Sequence, residues 1–117
     1  MANPFVHIEL LTTDMGKAKE FYSKLFDWKL EEAPDNYTMI NVGQGTGGGM
    51  MKSPMMVSTS HWIPYVLVDD VAAATEKAKS LGATIYKGIT DVLDIGRYTV
   101  IIDPTGAELA LWQQLKK

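Results

Sequence analysis

The sequence contains no cysteine. That single absence excludes disulfides, thiolate metal sites and thiol nucleophiles, and it leaves the redox compartment open. Histidine is scarce too: His7 and His61 are the only two, and neither sits in a local nucleophile signature. No Ser-His-Asp arrangement is therefore readable. No apolar run approaches the ~20 residues that cross a bilayer, so no membrane role is expected. The opening Met1-Ala2-Asn3-Pro4 lacks a basic segment followed by an apolar one. No signal peptide is expected on that ground, and cytoplasmic is the default location. The eleven Lys and Arg residues are scattered along a chain of formal net charge −3. Nucleic-acid binding needs a concentrated positive face, and none is expected here.

What is present is a repetition. His7-Ile8-Glu9-Leu10-Leu11-Thr12-Thr13-Asp14 leads into a helix-like run ending near Leu25, and Ile63-Pro64-Tyr65-Val66-Leu67-Val68-Asp69-Asp70 leads into another ending at Leu81. Further on, Tyr37 to Val42 is matched by Tyr98 to Asp103. Few identities are shared, yet the order of strand, helix and turn signals recurs. A duplicated unit constrains the fold and places any binding site between the halves.

Within the first unit, Val6, Ile8 and Leu10 alternate with His7, Glu9 and Leu11, which predicts a strand over Phe5 to Thr12. Asp14 is an expected N-cap, with Ala18, Phe21, Tyr22 and Leu25 as the buried helix stripe. Strands over Trp28 to Glu32 and Tyr37 to Val42 are joined by Pro34-Asp35-Asn36, a turn sequence. Gly43 to Gly49 holds five glycines in seven residues, followed by Met50-Met51. It lacks the Lys-Ser/Thr of a phosphate-binding loop and opens no helix, so a sharp turn and a close-packed strand are expected. The second unit starts at Trp62. Asp70 repeats the N-cap, Val71, Ala74, Ala78 and Leu81 form the stripe, and Gly82 supplies the stop. Strands are predicted over Ala83 to Lys87, Arg97 to Ile102 and Ala107 to Gln113, with Gly88 to Gly96 as a loop and Asp103-Pro104-Thr105-Gly106 as a turn.

The motifs together resemble a known family. Phe21-Tyr22-Ser23-Lys24-Leu25-Phe26-Asp27-Trp28 is similar to the "FY…LFGW" helix end of the vicinal oxygen chelate superfamily, and Asp103-Pro104-Thr105-Gly106-Ala107 to its "DP.G" turn. Gly48-Gly49-Met50-Met51 and Trp62-Ile63-Pro64-Tyr65-Val66 are similar to one uncharacterised branch. Glyoxalase I, extradiol dioxygenases and bleomycin-resistance proteins belong to this superfamily. The resemblance implies an α+β fold: two paired β-α-β-β-β modules forming a cup-shaped mixed sheet. Residues 1–117 would be one such domain, with module one at about 1–52, a linker at 53–60 and module two at about 61–117. Metal-dependent members place a ligand on the first and last strand of each module. Carried over, those places are His7, Gly49 or Met50, Ile63 and Ala110. Only the first can bind a metal, and a lone imidazole does not hold a first-row divalent cation against water. No metal and no cofactor are therefore expected.

Alternation selects the candidate ligand-binding residues: His7 and Glu9 share one strand face, Ile63 and Tyr65 another, and Ala110 and Trp112 a third. His7 is read as a hydrogen-bonded polar residue, a ligand contact or a general base. Glu9 is read as a ligand contact or one half of an ion pair with Arg97 or a lysine. Trp62, Tyr65 and Trp112 are candidate flat walls for a planar ligand, or core residues. Met50, Met51, Met55 and Met56 are packing filler, or the lining of a pocket or subunit contact. The expected function is binding of a small apolar or aromatic metabolite in the cup, as a homodimer. Two alternatives stand beside it. One is a metal-dependent glyoxalase I-like lyase or extradiol dioxygenase-like enzyme with a displaced site at His7, His61 and Glu108. The other is an interaction module with a closed cup.

Overall fold

The computed structural model describes residues 2–53 and 59–115. Among them, β1 (Phe5–Thr12), α1 (Met15–Leu25), β2 (Lys29–Ala33), β3 (Tyr37–Asn41) and β4 (Gly48–Lys52) form the first β-α-β-β-β module. The second is β5 (His61–Leu67), α2 (Val71–Ser80), β6 (Thr84–Val92), β7 (Gly96–Ile102) and β8 (Glu108–Gln114). The fold is α+β, two β-α-β-β-β modules, as the repetition predicts. Two compact units nearly coincide with these modules: His7–Ile63 is one, and residues 2–6 with 64–115 are the other. Met55 and Met56, in the expected linker, lie outside the described residues.

In the first module the strands run in the order β2-β3-β4-β1. β1 and β4 are parallel and the other neighbours antiparallel. Leu10, Ile40 and Met50 form the core, with Met15, Ala18 and Tyr22 of α1 packed on it. Burying side chains of this size contributes roughly 1.5–3 kcal/mol each. The helix starts at Asp14, whose Oδ1 accepts the Lys17 N–H at 3.0 Å. Its buried stripe is narrower than expected, because Phe21 is 58 % exposed and Leu25 55 %. Phe21 sits on the flank of the Met15–Ala18–Tyr22 line, and Leu25 is the last helical residue. Asp35 and Asn36 both take positive φ (62° and 59°) in the β2–β3 turn, a conformation these two residue types tolerate.

In the second module the order is β5-β8-β7-β6, again with one parallel pair, β5 with β8. Val71, Ile101 and Leu111 form its core, with Ala74 and Ala78 of α2 against it. Asp70 caps α2 by accepting from the Ala72 and Ala73 N–H groups at 3.0 and 3.1 Å. Leu81, expected in the buried stripe, is the C-cap and 69 % exposed. The segment Gly88 to Gly96 is not simply a loop, since β6 continues to Val92. Register shifts between Ile85 and Lys87 and between Lys87 and Thr90 absorb the glycine, as a β-bulge allows.

Each helix covers one face of its sheet. The other face carries the candidate residues.

Candidate functional site

On the helix-free face of the first module the strand register sets Met39 opposite Gly49 and Gly49 opposite Glu9. Tyr37 lies two residues before Met39, on the same face. Its ring occupies the space where a Cβ on Gly49 would stand, so glycine there is a packing requirement. The hydroxyl thereby reaches β1: it donates to Glu9 Oε1 at 2.9 Å and lies 2.7 Å from His7 Nε2. A phenol has one proton. With that proton directed to Glu9, the hydroxyl accepts from a protonated Nε2. Burial disfavours the imidazolium and holds the His7 pKa below its ordinary value. The result is a three-residue hydrogen-bonded line, His7 to Tyr37 to Glu9, able to orient a ligand or pass a proton along one direction.

Glu9 accepts from the Tyr37 hydroxyl, and Arg97 pairs with Asp91 at 3.3 Å. In the same module a cavity of about 350 Å³ is bordered by Glu31, Met39, Asn41 and the glycines Gly43, Gly45 and Gly47. None of the six expected ligand-binding residues lines it. Ile63, at 2 % exposure, is a core residue.

On the helix-free face of the second module, Tyr65 pairs in register with Ala110, and Tyr98 with Trp112. The three rings pack together: Tyr65 lies 5.7 Å from Tyr98 and 6.4 Å from Trp112, centroid to centroid. Ala110 is fully buried and leaves the rings room. The indole of Trp112 fills the position of a Cβ on Gly96, and its Nε1–H donates to Gln114 Oε1 at 3.0 Å. Trp62 packs edge-on against Tyr22 and Trp28 in the first unit.

The residues at the carried-over metal positions do not fit an ion. His7 is the one donor, its Nε2 is engaged by Tyr37, and Gly49 lies under the Tyr37 ring. Among the described residues no group of three or more His, Cys, Asp or Glu side chains that could hold a metal ion is found. Sequence reasoning missed Tyr37 and Tyr98, which stand against the expected residues Glu9 and Tyr65. The signal for Tyr37 was Gly49 itself, since a glycine inside a strand often marks the close approach of another group.

The family model for the Glyoxalase/Bleomycin resistance protein/Dioxygenase superfamily matches residues 5–111. The chain belongs to this superfamily. "Putative glyoxylase CFP32" of Mycobacterium tuberculosis is 32 % identical to it over 114 residues, covering 91 % of this chain and 44 % of the relative. The anthracycline biosynthesis protein DnrV of Streptomyces peucetius is 25 % identical, covering 91 % and 45 %. This superfamily member thus spans less than half the length of those two relatives. Among solved structures, homoprotocatechuate 2,3-dioxygenase from Brevibacterium fuscum superposes with a TM-score of 0.70 at 17 % identity, covering 96 % of this chain and 36 % of that one. Methylmalonyl-CoA epimerase from Mycobacterium tuberculosis gives 0.65 at 17 %, covering 96 % and 88 %. These likenesses carry the fold.

Proposed function

We propose that this superfamily member binds a small, mostly apolar or aromatic molecule on its helix-free surfaces without a metal ion, as a cytoplasmic carrier or sequestering protein. The observation that supports it most is the line from His7 through Tyr37 to Glu9, built over a glycine that no larger residue can replace without moving the ring. Polar groups set in order on an otherwise apolar surface are what fixes the orientation of a bound molecule. The second module contributes flat apolar area in Tyr65 and Trp112, with Ala110 beneath. A thermal-shift screen against a metabolite panel tests the reading. A ligand present at 100 times its Kd should stabilise the native state by about 2.7 kcal/mol. Tyr37→Phe keeps the ring and removes the hydroxyl, and should weaken the same ligand several-fold. A panel that leaves the wild-type midpoint unmoved would argue for an interaction module instead.

A second reading is enzymatic. The same line couples a base to an acid through one phenol, and a relative carries the name of a glyoxylase. Elemental analysis of protein purified without a nickel column separates the two: about one zinc, nickel or iron per chain, lost in His7→Ala, favours the metalloenzyme. A homodimer is part of the proposal, with apolar edges as contact surfaces. Light scattering giving 12.9 kDa, the monomer mass, at micromolar concentration would count against it.

A further inference from the structure

We propose that the second module's helix-free face recognises an anionic aromatic ligand, with Lys87 taking its carboxylate and the rings of Tyr98 and Trp112 taking its planar body. This rests on the reading of that face as ligand-binding and specifies the ligand's charge. Three observations carry it. The first is where Lys87 sits: register shifts fall on both sides of it in β6. Bulges re-aim side chains. This one is pinned by Thr99, fully buried, whose hydroxyl donates to the Lys87 carbonyl at 2.6 Å.

The second is what the ammonium meets. Lys87 Nζ donates to Tyr98 Oη at 2.7 Å and lies 5.2 Å from the centre of that ring. Other lysines of the chain, Lys19, Lys24 and Lys79, pair with carboxylates at 2.7, 3.2 and 3.2 Å. Among the described residues no carboxylate stands within 4.0 Å of Lys87, so a phenol solvates its charge without neutralising it. An ammonium keeps two more donors in that arrangement. The third is the platform it adjoins: Tyr98 packs on Tyr65, which packs on Trp112, and Trp112 is held by Gln114. Side chains already fixed lose little entropy when a flat ligand settles on them. A cation at the end of a rigid aromatic surface is complementary to a ring bearing a negative group.

The test compares 2-naphthoate with its neutral isostere 2-naphthamide, by calorimetry on the full chain and by the indole N–H resonance of Trp112. The acid should bind about tenfold tighter than the amide, the size of one charge-assisted hydrogen bond, and should lose that advantage in Lys87→Met. Lys87→Arg should recover most of it. Raising the salt should weaken the acid and spare the amide. Lys87 is exposed, so the methionine variant should fold, and an unchanged Trp112 resonance in the free protein checks that. Equal binding of acid and amide, unaffected by Lys87→Met, would overturn the charge assignment while leaving ligand binding intact. Failure of both compounds to move the Trp112 resonance would overturn the assignment of this face altogether.

Discussion

At the scale of the residue, Tyr37 ties together the polar groups of the first module, because its one hydroxyl stands between His7 and Glu9. Burial lowers the His7 pKa in the folded state relative to 6.5 unfolded. Between the two values the unfolded chain binds more protons, so stability rises with pH there. His7 should therefore contribute fully above pH 6.5, and its contribution should fall as pH drops through the lowered value. Thermal midpoints of the wild type should decline over that window by more than those of His7→Gln; parallel profiles would contradict the burial argument. Gly49→Ala tests the packing beside it. The added methyl must displace the Tyr37 ring, and overpacking of this kind costs about 1–3 kcal/mol. Chemical denaturation should show that loss, and ligand affinity should fall with it. The sequence displays His7 and Glu9 on one face by simple alternation. It conceals Tyr37, since the reach of a side chain across two strands depends on register, which alternation does not supply.

At the scale of the element, local chemistry decides most boundaries. Asp14 and Asp70 cap their helices with carboxylates that accept free N–H groups, one in α1 and two in α2. Replacing either by alanine should cost about 1 kcal/mol. The α2 variant should lose more, because two donors are left open rather than one; equal losses by urea denaturation would refute the ranking. Asp103 works in the same way in its turn, accepting from the Thr105 N–H, the Thr105 hydroxyl and the Ala107 N–H at 2.8, 2.7 and 3.0 Å. Those bonds, the Thr105 hydroxyl first, hold its carboxyl below the usual range. These features are legible in the sequence because caps and turns are set by neighbours along the chain. β6 is the counter-example. Gly88 reads as a break, but bulges let the strand continue, and bulges depend on the partner strand.

At the scale of the whole molecule the duplication is legible from the order of signals, and the strand orders β2-β3-β4-β1 and β5-β8-β7-β6 repeat one plan. The partition of the chain is less so. Residues 2–6 group with 64–115 rather than with the His7–Ile63 unit. Their attachment is specific: the Leu67 N–H donates to the Pro4 carbonyl at 2.9 Å, and Asn3 Nδ2 donates to the Leu67 carbonyl at 2.8 Å. No periodicity in Ala2-Asn3-Pro4 announces this, because the bonds are made by backbone groups and one amide. They imply that the start of the chain stabilises the second unit before the chain enters the first. Deleting residues 2–4 should accordingly remove the acceptor of the Leu67 amide and the donor to its carbonyl. Hydrogen exchange should then show Leu67 losing protection by about tenfold, the equivalent of one ordinary hydrogen bond. The Leu10 amide, inside the β1–β4 pairing of the other unit, should exchange as before. Loss of protection at Leu10 with Leu67 unchanged would place the N-terminal residues with the first unit and reverse the partition.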